Sequence, residues 1–87
     1  MTTTEPAPRI DVHLFAAAAA EFGTDRTEVQ ARTLAEAVEA LVLEASERAA
    51  AVIARSTFLV NSVACTDRER PLADGDRVDV LPPFAGG

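Results

Sequence analysis

The sequence predicts a small α+β domain in which a mixed sheet of four to five strands is covered on one face by one main helix. Several short segments alternate apolar and polar residues, which is the period of a half-buried strand. One longer segment follows a helical period instead. With 87 residues the chain has room for one domain and little room for an enclosed active site.

The first part of the chain predicts two strands that form a hairpin. Residues 10–15 alternate strictly, and residues 27–32 do so more weakly. Between them, the alanine-rich residues 16–22 before Gly23 predict a helical turn or two. The alternative is that the first strand continues into the alanines.

The clearest helix signal follows these strands. Thr33 and Glu36 have the spacing of a capping box at a helix start. The apolar face that follows consists of Leu34, Val38, Leu41, Val42 and Ala45. The other positions carry Glu36, Glu39, Glu44 and Glu47. These glutamates predict a solvated acidic surface, with an electrostatic docking face as the alternative.

The second half predicts a short helix and more strands. In order they are a helical segment at 48–55, a strand at 57–63 ending near Asn61-Ser62, a short strand at 63–66 and a last strand at 77–81. In the last strand Val78 and Val80 are expected to face inward, and Arg77 and Asp79 outward. The first and last strands could form a parallel pair at the centre of the sheet, a pairing that the sequence leaves open.

Composition and charge exclude several function classes. Fourteen acidic residues outnumber eight basic ones, which are all arginine, and the net charge of −6 argues against a nucleic-acid partner. A single cysteine, Cys65, excludes an internal disulfide, and one histidine is too few for a Cys/His zinc site. No signal peptide or membrane span is expected, so we predict a cytoplasmic protein with no membrane partner.

Three segments organise the chain: a flexible leader at 1–8, a domain at 9–81 and an extended tail at 82–87. Pro82 and Pro83 favour a stiff exit that holds the tail away from the domain. Gly86 and Gly87 have no side chains, so they fit a narrow channel and can present a carboxylate to another protein. The alternative is a frayed end without function.

Residues 74–87, DGDRVDVLPPFAGG, resemble the C-termini of the MoaD/ThiS family of ubiquitin-like sulfur carriers. Residues 10–16, IDVHLFA, are similar to the first strand of that family, and residues 57–61, TFLVN, to a later strand. The resemblance covers residues 9–87 and is greatest to the small subunit of molybdopterin synthase. Ala19-Ala20 and Ser62 depart from many small subunits, which bears on the choice of partner.

The resemblance implies a β-grasp fold and a carrier rather than an enzyme. An E1-like adenylyltransferase/sulfurtransferase would adenylate the Gly87 carboxylate with ATP and convert it to a thiocarboxylate. A synthase such as the molybdopterin synthase large subunit would then accept the sulfur. The chain itself would bind no cofactor or metal. The implied partner-binding tail is Pro82, Pro83, Phe84, Ala85 and Gly86.

The sequence leaves other interpretations of the function open. The carrier could serve the biosynthesis of thiamine, cysteine or a sulfur-containing natural product. The chain could instead be a ubiquitin-like modifier of lysines, or an interaction module with an inert tail. His13 is expected to be an ordinary surface or sheet-edge histidine and Cys65 a packing residue. Phe58 is expected in the core, or otherwise as a partner contact.

Overall fold

The computed structural model of the protein describes residues 6–83. The elements of this part are β1 (Arg9–Leu14), α1 (Ala16–Phe22), β2 (Arg26–Gln30), α2 (Leu34–Glu44), α3 (Glu47–Ala54), β3 (Thr57–Val60), β4 (Val63–Ala64) and β5 (Arg77–Leu81). The strands form one sheet in the order β2-β1-β5-β3-β4. β1 and β5 are parallel, and the other neighbouring strands are antiparallel. The predicted α+β class is confirmed, and the parallel pair that the sequence left open lies inside the sheet.

The core lies between one face of the sheet and the helices. Its fully buried large side chains are Ile10, Val12 and Leu14 of β1, Leu34 and Leu41 of α2, Ile53 of α3, Val60 of β3, and Val78 and Val80 of β5. Burying such a side chain stabilises the fold by about 1.5–3 kcal/mol. Because β5 contributes two of these residues, the core holds the strand that leads to the tail.

The alanine-rich segment forms a helix, and the alternative of a longer first strand is wrong. α1 ends at Gly23, whose φ of 99° lies in the left-handed region that glycine adopts without strain. The Gly23 backbone N–H donates to the Ala19 carbonyl at 3.0 Å. β1 and β2 therefore pair as predicted, and the connection between them contains the predicted helical segment.

α2 begins as the sequence predicts. The Thr33 Oγ1 accepts a hydrogen bond from the Glu36 backbone N–H at 3.2 Å. The Glu36 Oε1 in turn accepts from the Arg32 N–H at 2.8 Å, one residue earlier than in the usual capping box. The first bond satisfies a backbone donor that the first helical turn leaves unpaired, and the second holds the residue that precedes the cap.

Two details of the helical region differ from the prediction. Val42 was expected on the buried face but is 37% exposed, next to Leu43 at 87%. Glu47 begins α3, because Ser46 starts a new helix by accepting a hydrogen bond from the Ala49 N–H at 3.1 Å. The apolar face of α2 is consequently shorter than its sequence pattern suggests.

Strand β3 is shorter than predicted because the backbone turns directly after Val60. Asn61 and Ser62 have φ of 49° and 71°. Left-handed backbone at both positions of a two-residue loop matches the twist of a tight hairpin. The turn pairs Val60 with Val63. No helix within residues 6–83 is long and apolar enough to cross a membrane.

Candidate functional site

The base of the tail is held firmly by the centre of the sheet. β5 pairs with β1 on one side and with β3 on the other. After Leu81, Pro82 is buried and Pro83 is exposed, so the chain reaches the surface at Pro83. The predicted site residues Phe84, Ala85, Gly86 and Gly87 lie outside the described residues, so their assignments stay predictions.

A hydrogen-bonded cluster fixes the start of the same strand. The Asn61 Nδ2 donates to the Asp76 Oδ1 at 3.0 Å, and the Asn61 Oδ1 accepts from the Arg77 N–H at 2.9 Å. The Asp76 Oδ2 also accepts from the Ala73 N–H at 2.8 Å. The Ala73 N–H and then the Asn61 amide favour the charged carboxylate and lower the pKa of Asp76. The β3–β4 turn is thereby joined to the turn that precedes β5.

Charged side chains on the sheet face opposite the core neutralise one another in pairs. The Arg26 guanidinium donates two hydrogen bonds of 3.2 Å to the Asp11 carboxylate. Asp11 is also 3.0 Å from the Nε2 of His13. The hydrogen bond with His13, followed by the contacts with Arg26, lowers the pKa of Asp11. A second arginine, Arg9, lies 3.5 Å from Glu28.

Asp79 corrects one prediction about this face. It was expected to face outward, and its position in the strand does face away from the core, yet the residue is only 5% exposed. Its Oδ1 accepts a hydrogen bond from the Arg77 Nε at 2.6 Å. A carboxylate is tolerated in such a buried position because the guanidinium pairs with it.

A partly exposed aromatic residue, Phe15, lies beside the base of the tail at the end of the sheet where β5 ends. The Phe15 N–H donates to the Val80 carbonyl at 3.1 Å, which continues the parallel pairing beyond β1. Leu14 pairs with Val80, so Phe15 is the neighbour of Leu81. Phe15 is 37% exposed. A partly exposed aromatic residue beside a neutralised surface is typical of a protein contact site.

The other residues singled out from the sequence, His13, Cys65 and Phe58, are packed within the fold. His13 was expected at the surface or at a sheet edge, but it lies on the interior strand β1, and its side chain is 19% exposed. Cys65 is partly buried against the core. Phe58 is buried, as predicted, and the Arg68 guanidinium carbon lies 4.9 Å from its ring centre. Residues 6–83 contain no cluster of three or more His, Cys, Asp or Glu side chains that could hold a metal ion.

Comparison with known proteins gives the family. A family model described as the ThiS family matches residues 12–87, nearly the whole chain and including its Gly-Gly end. The protein belongs to the ThiS family. No curated protein matches this ThiS-family chain.

Solved structures agree with the ThiS-family fold. SAMP1 from Haloferax volcanii is 25% identical, with a TM-score of 0.77 over 91% of this chain and 99% of that chain. A second match comes from the complex of subunits 1 and 2 of the molybdopterin-converting factor from Helicobacter pylori. Its matching chain is 24% identical, with a TM-score of 0.69 over 91% of this chain and 99% of that chain. The BexX/CysO complex from Amycolatopsis orientalis contains a chain that is 19% identical, with a TM-score of 0.72 over 90% and 99%.

These comparisons confirm the predicted β-grasp, ubiquitin-like fold. They place the chain among small sulfur carriers and ubiquitin-like modifiers without selecting one pathway. The charge pairs of the sheet face and the bonds of Asn61 were not foreseen from the sequence. The charge pairs could have been predicted in part, because charged residues alternate with apolar ones in both β1 and β5.

Proposed function

We propose that the protein is a sulfur carrier whose Gly87 carboxylate is adenylated, converted to a thiocarboxylate and used as a sulfur donor. The observation that carries this proposal is the ThiS-family match through residue 87 on a domain whose central strand leads directly into the tail. Phe84, Ala85 and Gly86 would lie in the partner's channel. The domain would serve for recognition and hold the tail at its base.

The chemistry requires activation because a carboxylate is a poor electrophile. Attack of the Gly87 carboxylate on ATP forms an acyl adenylate and releases pyrophosphate. Hydrosulfide then adds to the acyl carbon and displaces AMP, which leaves the thiocarboxylate and a proton. If the sulfur source is a persulfide, its terminal sulfur displaces AMP and leaves an acyl disulfide. A second thiol then attacks the sulfur of this disulfide that is not bonded to the acyl carbon, which forms a new disulfide and releases the thiocarboxylate. All these steps would take place in the active site of an E1-like adenylyltransferase, so the chain acts as a substrate.

The sulfur acceptor we propose is a molybdopterin synthase large subunit. The tail resemblance favours this partner, and the matching Helicobacter pylori chain comes from a complex of two molybdopterin-converting subunits. The sheet face opposite the core, whose charges are paired, would contact the large subunit together with Phe15. The thiocarboxylate would then reach the active site of the large subunit. Carriers for thiamine, cysteine or another sulfur-containing product would use the same first two steps.

Intact-mass spectrometry tests the carrier chemistry. The chain is incubated with an E1-like enzyme, ATP and a sulfur source, and we expect a mass gain of about 16 Da as sulfur replaces one oxygen. The matched control is the chain that lacks Gly86 and Gly87, which should gain nothing. Absence of the gain in the full chain with several such activating enzymes would refute the proposal. Transfer of the sulfur to a precursor bound by the molybdopterin synthase large subunit would then test the pathway.

A second candidate function is the modification of other proteins. The similarity to SAMP1 supports it, because a small archaeal modifier protein is the match with the highest sequence identity among those described above. The chain contains no lysine, so it has no lysine side chain of its own to which a second copy could be joined. Trypsin would cut after Arg77 and leave residues 78–87 on any acceptor lysine. Peptides carrying that remnant would favour this function, and their absence beside a mass gain of about 16 Da would favour the carrier.

A further inference from the structure

An open cleft lies beside the base of the tail. Its volume is about 520 Å³. The residues that line it are His13, Leu14, Phe15, Ala16, Ala19, Asp25 and Arg26. Phe15 is bonded through its backbone to Val80, so the cleft opens at the end of the sheet from which β5 leads into the tail. Any protein that takes up the tail would pass close to it.

The shape of the cleft suits a long, thin side chain. Ala16 and Ala19 present only methyl groups, which leaves space between α1 and the turn before β2. Phe15 provides a partly exposed aromatic ring. Ala16 has a φ of 51°, an uncommon left-handed backbone for a residue other than glycine, and this turn carries the chain from β1 into α1. Apolar walls of this kind can cover the methylene groups of a long polar side chain.

The charges of the cleft select a cation. Arg26 is already bonded twice by Asp11, and His13 shares that carboxylate. Asp25 is exposed, and its carboxylate makes no hydrogen bond or ion pair with any residue from 6 to 83. Its backbone is held in place, because its carbonyl accepts a hydrogen bond from the Leu14 N–H at 2.9 Å. A carboxylate with no partner among residues 6–83 therefore lines the same cleft as the Phe15 ring.

We propose that the activating enzyme that takes up the tail inserts an arginine side chain into this cleft. Its methylene groups would pack on the alanines, and its guanidinium would pair with Asp25 near the ring of Phe15. The Asp25 carboxylate would repel an anionic group, and a second copy of this chain carries the same net charge of −6. The inference rests on the proposed function for the identity of the partner, but the cleft can be tested without it.

The first experiment uses a peptide probe and needs no partner. The ¹⁵N-labelled protein is titrated with N-acetyl-Gly-Arg-Gly-amide and with its citrulline counterpart, which has the same shape without the charge. We expect the amide signals of Phe15, Ala19 and Asp25 to shift with the arginine peptide only, at millimolar concentrations typical of an exposed ion pair. The shifts should disappear in Asp25→Asn and persist in Glu44→Gln, an exposed carboxylate on α2. Equal shifts with both peptides, equal shifts in Asp25→Asn, or no shifts would overturn the proposal.

The second experiment uses the activating enzyme that produces the mass gain. Asp25→Arg should raise the KM for the chain about tenfold and leave kcat unchanged, because the charge acts on binding and not on the acyl transfer. Glu44→Arg, with the same change of charge on another surface, should change the KM less than about twofold. An Asp25→Arg chain that performs like Glu44→Arg would overturn the arginine site. If the unaltered chain shows no mass gain at all, the proposed function fails. The peptide titration still tests whether the cleft binds an arginine side chain.

Discussion

The side chain of Asn61 should be the strongest single anchor of the turn that precedes β5. Its two hydrogen bonds connect the β3–β4 turn to Asp76 and Arg77, and its backbone has a φ of 49°. Replacement by alanine removes both bonds and places a residue with low tolerance for left-handed backbone in that conformation. Replacement by glycine removes the bonds but keeps the backbone unstrained. The pair of variants therefore separates the two contributions.

The expected loss in the free energy of unfolding follows from these contacts. Each exposed side-chain hydrogen bond contributes about 1 kcal/mol net, which gives about 2 kcal/mol for the two bonds of Asn61. The left-handed backbone adds about 1 kcal/mol for alanine. We expect Asn61→Ala to lower the free energy of unfolding by about 3 kcal/mol and Asn61→Gly by about 2 kcal/mol. For a small domain with a total stability of about 5–15 kcal/mol, either loss is large.

Urea unfolding followed by far-UV circular dichroism measures these differences. The chain has no Trp or Tyr, so intrinsic fluorescence is not a useful probe. Thr66→Ala, an exposed residue of the following loop, serves as the control and should change stability by less than about 0.5 kcal/mol. Asn61→Ala within 1 kcal/mol of the unaltered protein would refute the role of the hydrogen bonds. Equal losses for alanine and glycine would refute the argument from the backbone.

Three further predictions concern neighbouring parts of the fold. Because the pKa of Asp76 is lowered in the folded state, its ionised form stabilises the protein above about pH 4, and this contribution is lost as the pH falls through the folded pKa. The stability difference between the unaltered protein and Asp76→Asn, from urea midpoints, should therefore shrink between pH 6 and pH 3; a constant difference would contradict it. Gly75→Ala should cost about 1–2 kcal/mol in urea unfolding from its φ of 89° alone, since no atom of residues 6–83 other than Gly75 and its chain neighbours lies within 4 Å of the added Cβ. An unchanged midpoint would argue against that strain. Ile53→Ala should cost about 2–5 kcal/mol in thermal or urea unfolding because Ile53 is fully buried, and a loss below 1 kcal/mol would mean that α3 is not part of the core.

Local patterns predicted much of the fold correctly. The alternation in β1 placed Ile10, Val12 and Leu14 in the core, and the Thr33 cap located the start of α2. These features depend on residues that are close in sequence, where the physical rules for helices and strands apply directly. The Asn61-Ser62 turn belongs to the same class, because asparagine tolerates left-handed backbone.

Predictions about exposure were less accurate where the neighbour comes from elsewhere in the chain. The helical period put Val42 on the buried face, but α2 ends at Glu44 and the chain turns into α3 at Ser46, so little structure covers Val42. Alternation made Asp79 an outward residue, yet its ion pair and its central place in the sheet bury it. Burial depends on what packs against a side chain, and the period of a segment does not contain that information.

The candidate site also has one part that the sequence predicts and another that depends on the tertiary structure. The two prolines and the terminal glycines can be read directly from the sequence, and they predict a stiff exit and an end without side chains. Whether Gly87 is the reacting residue stays a prediction, since it lies outside the described residues. The cleft at Asp25 had no sequence signal, because its walls come from β1, α1 and the turn before β2.

The sequence by itself determined the local elements, the family resemblance and the chemistry proposed for the tail. Only the tertiary structure decided that β1 and β5 lie parallel in the sheet and that Phe15 lies beside the base of the tail. It also decided that the Asp25 carboxylate has no partner within the described residues 6–83. The physical reason is the range of the interactions. Helix caps, turns and alternation act over a few residues, whereas strand pairing and charge compensation join residues that the chain separates widely and the shared core brings together.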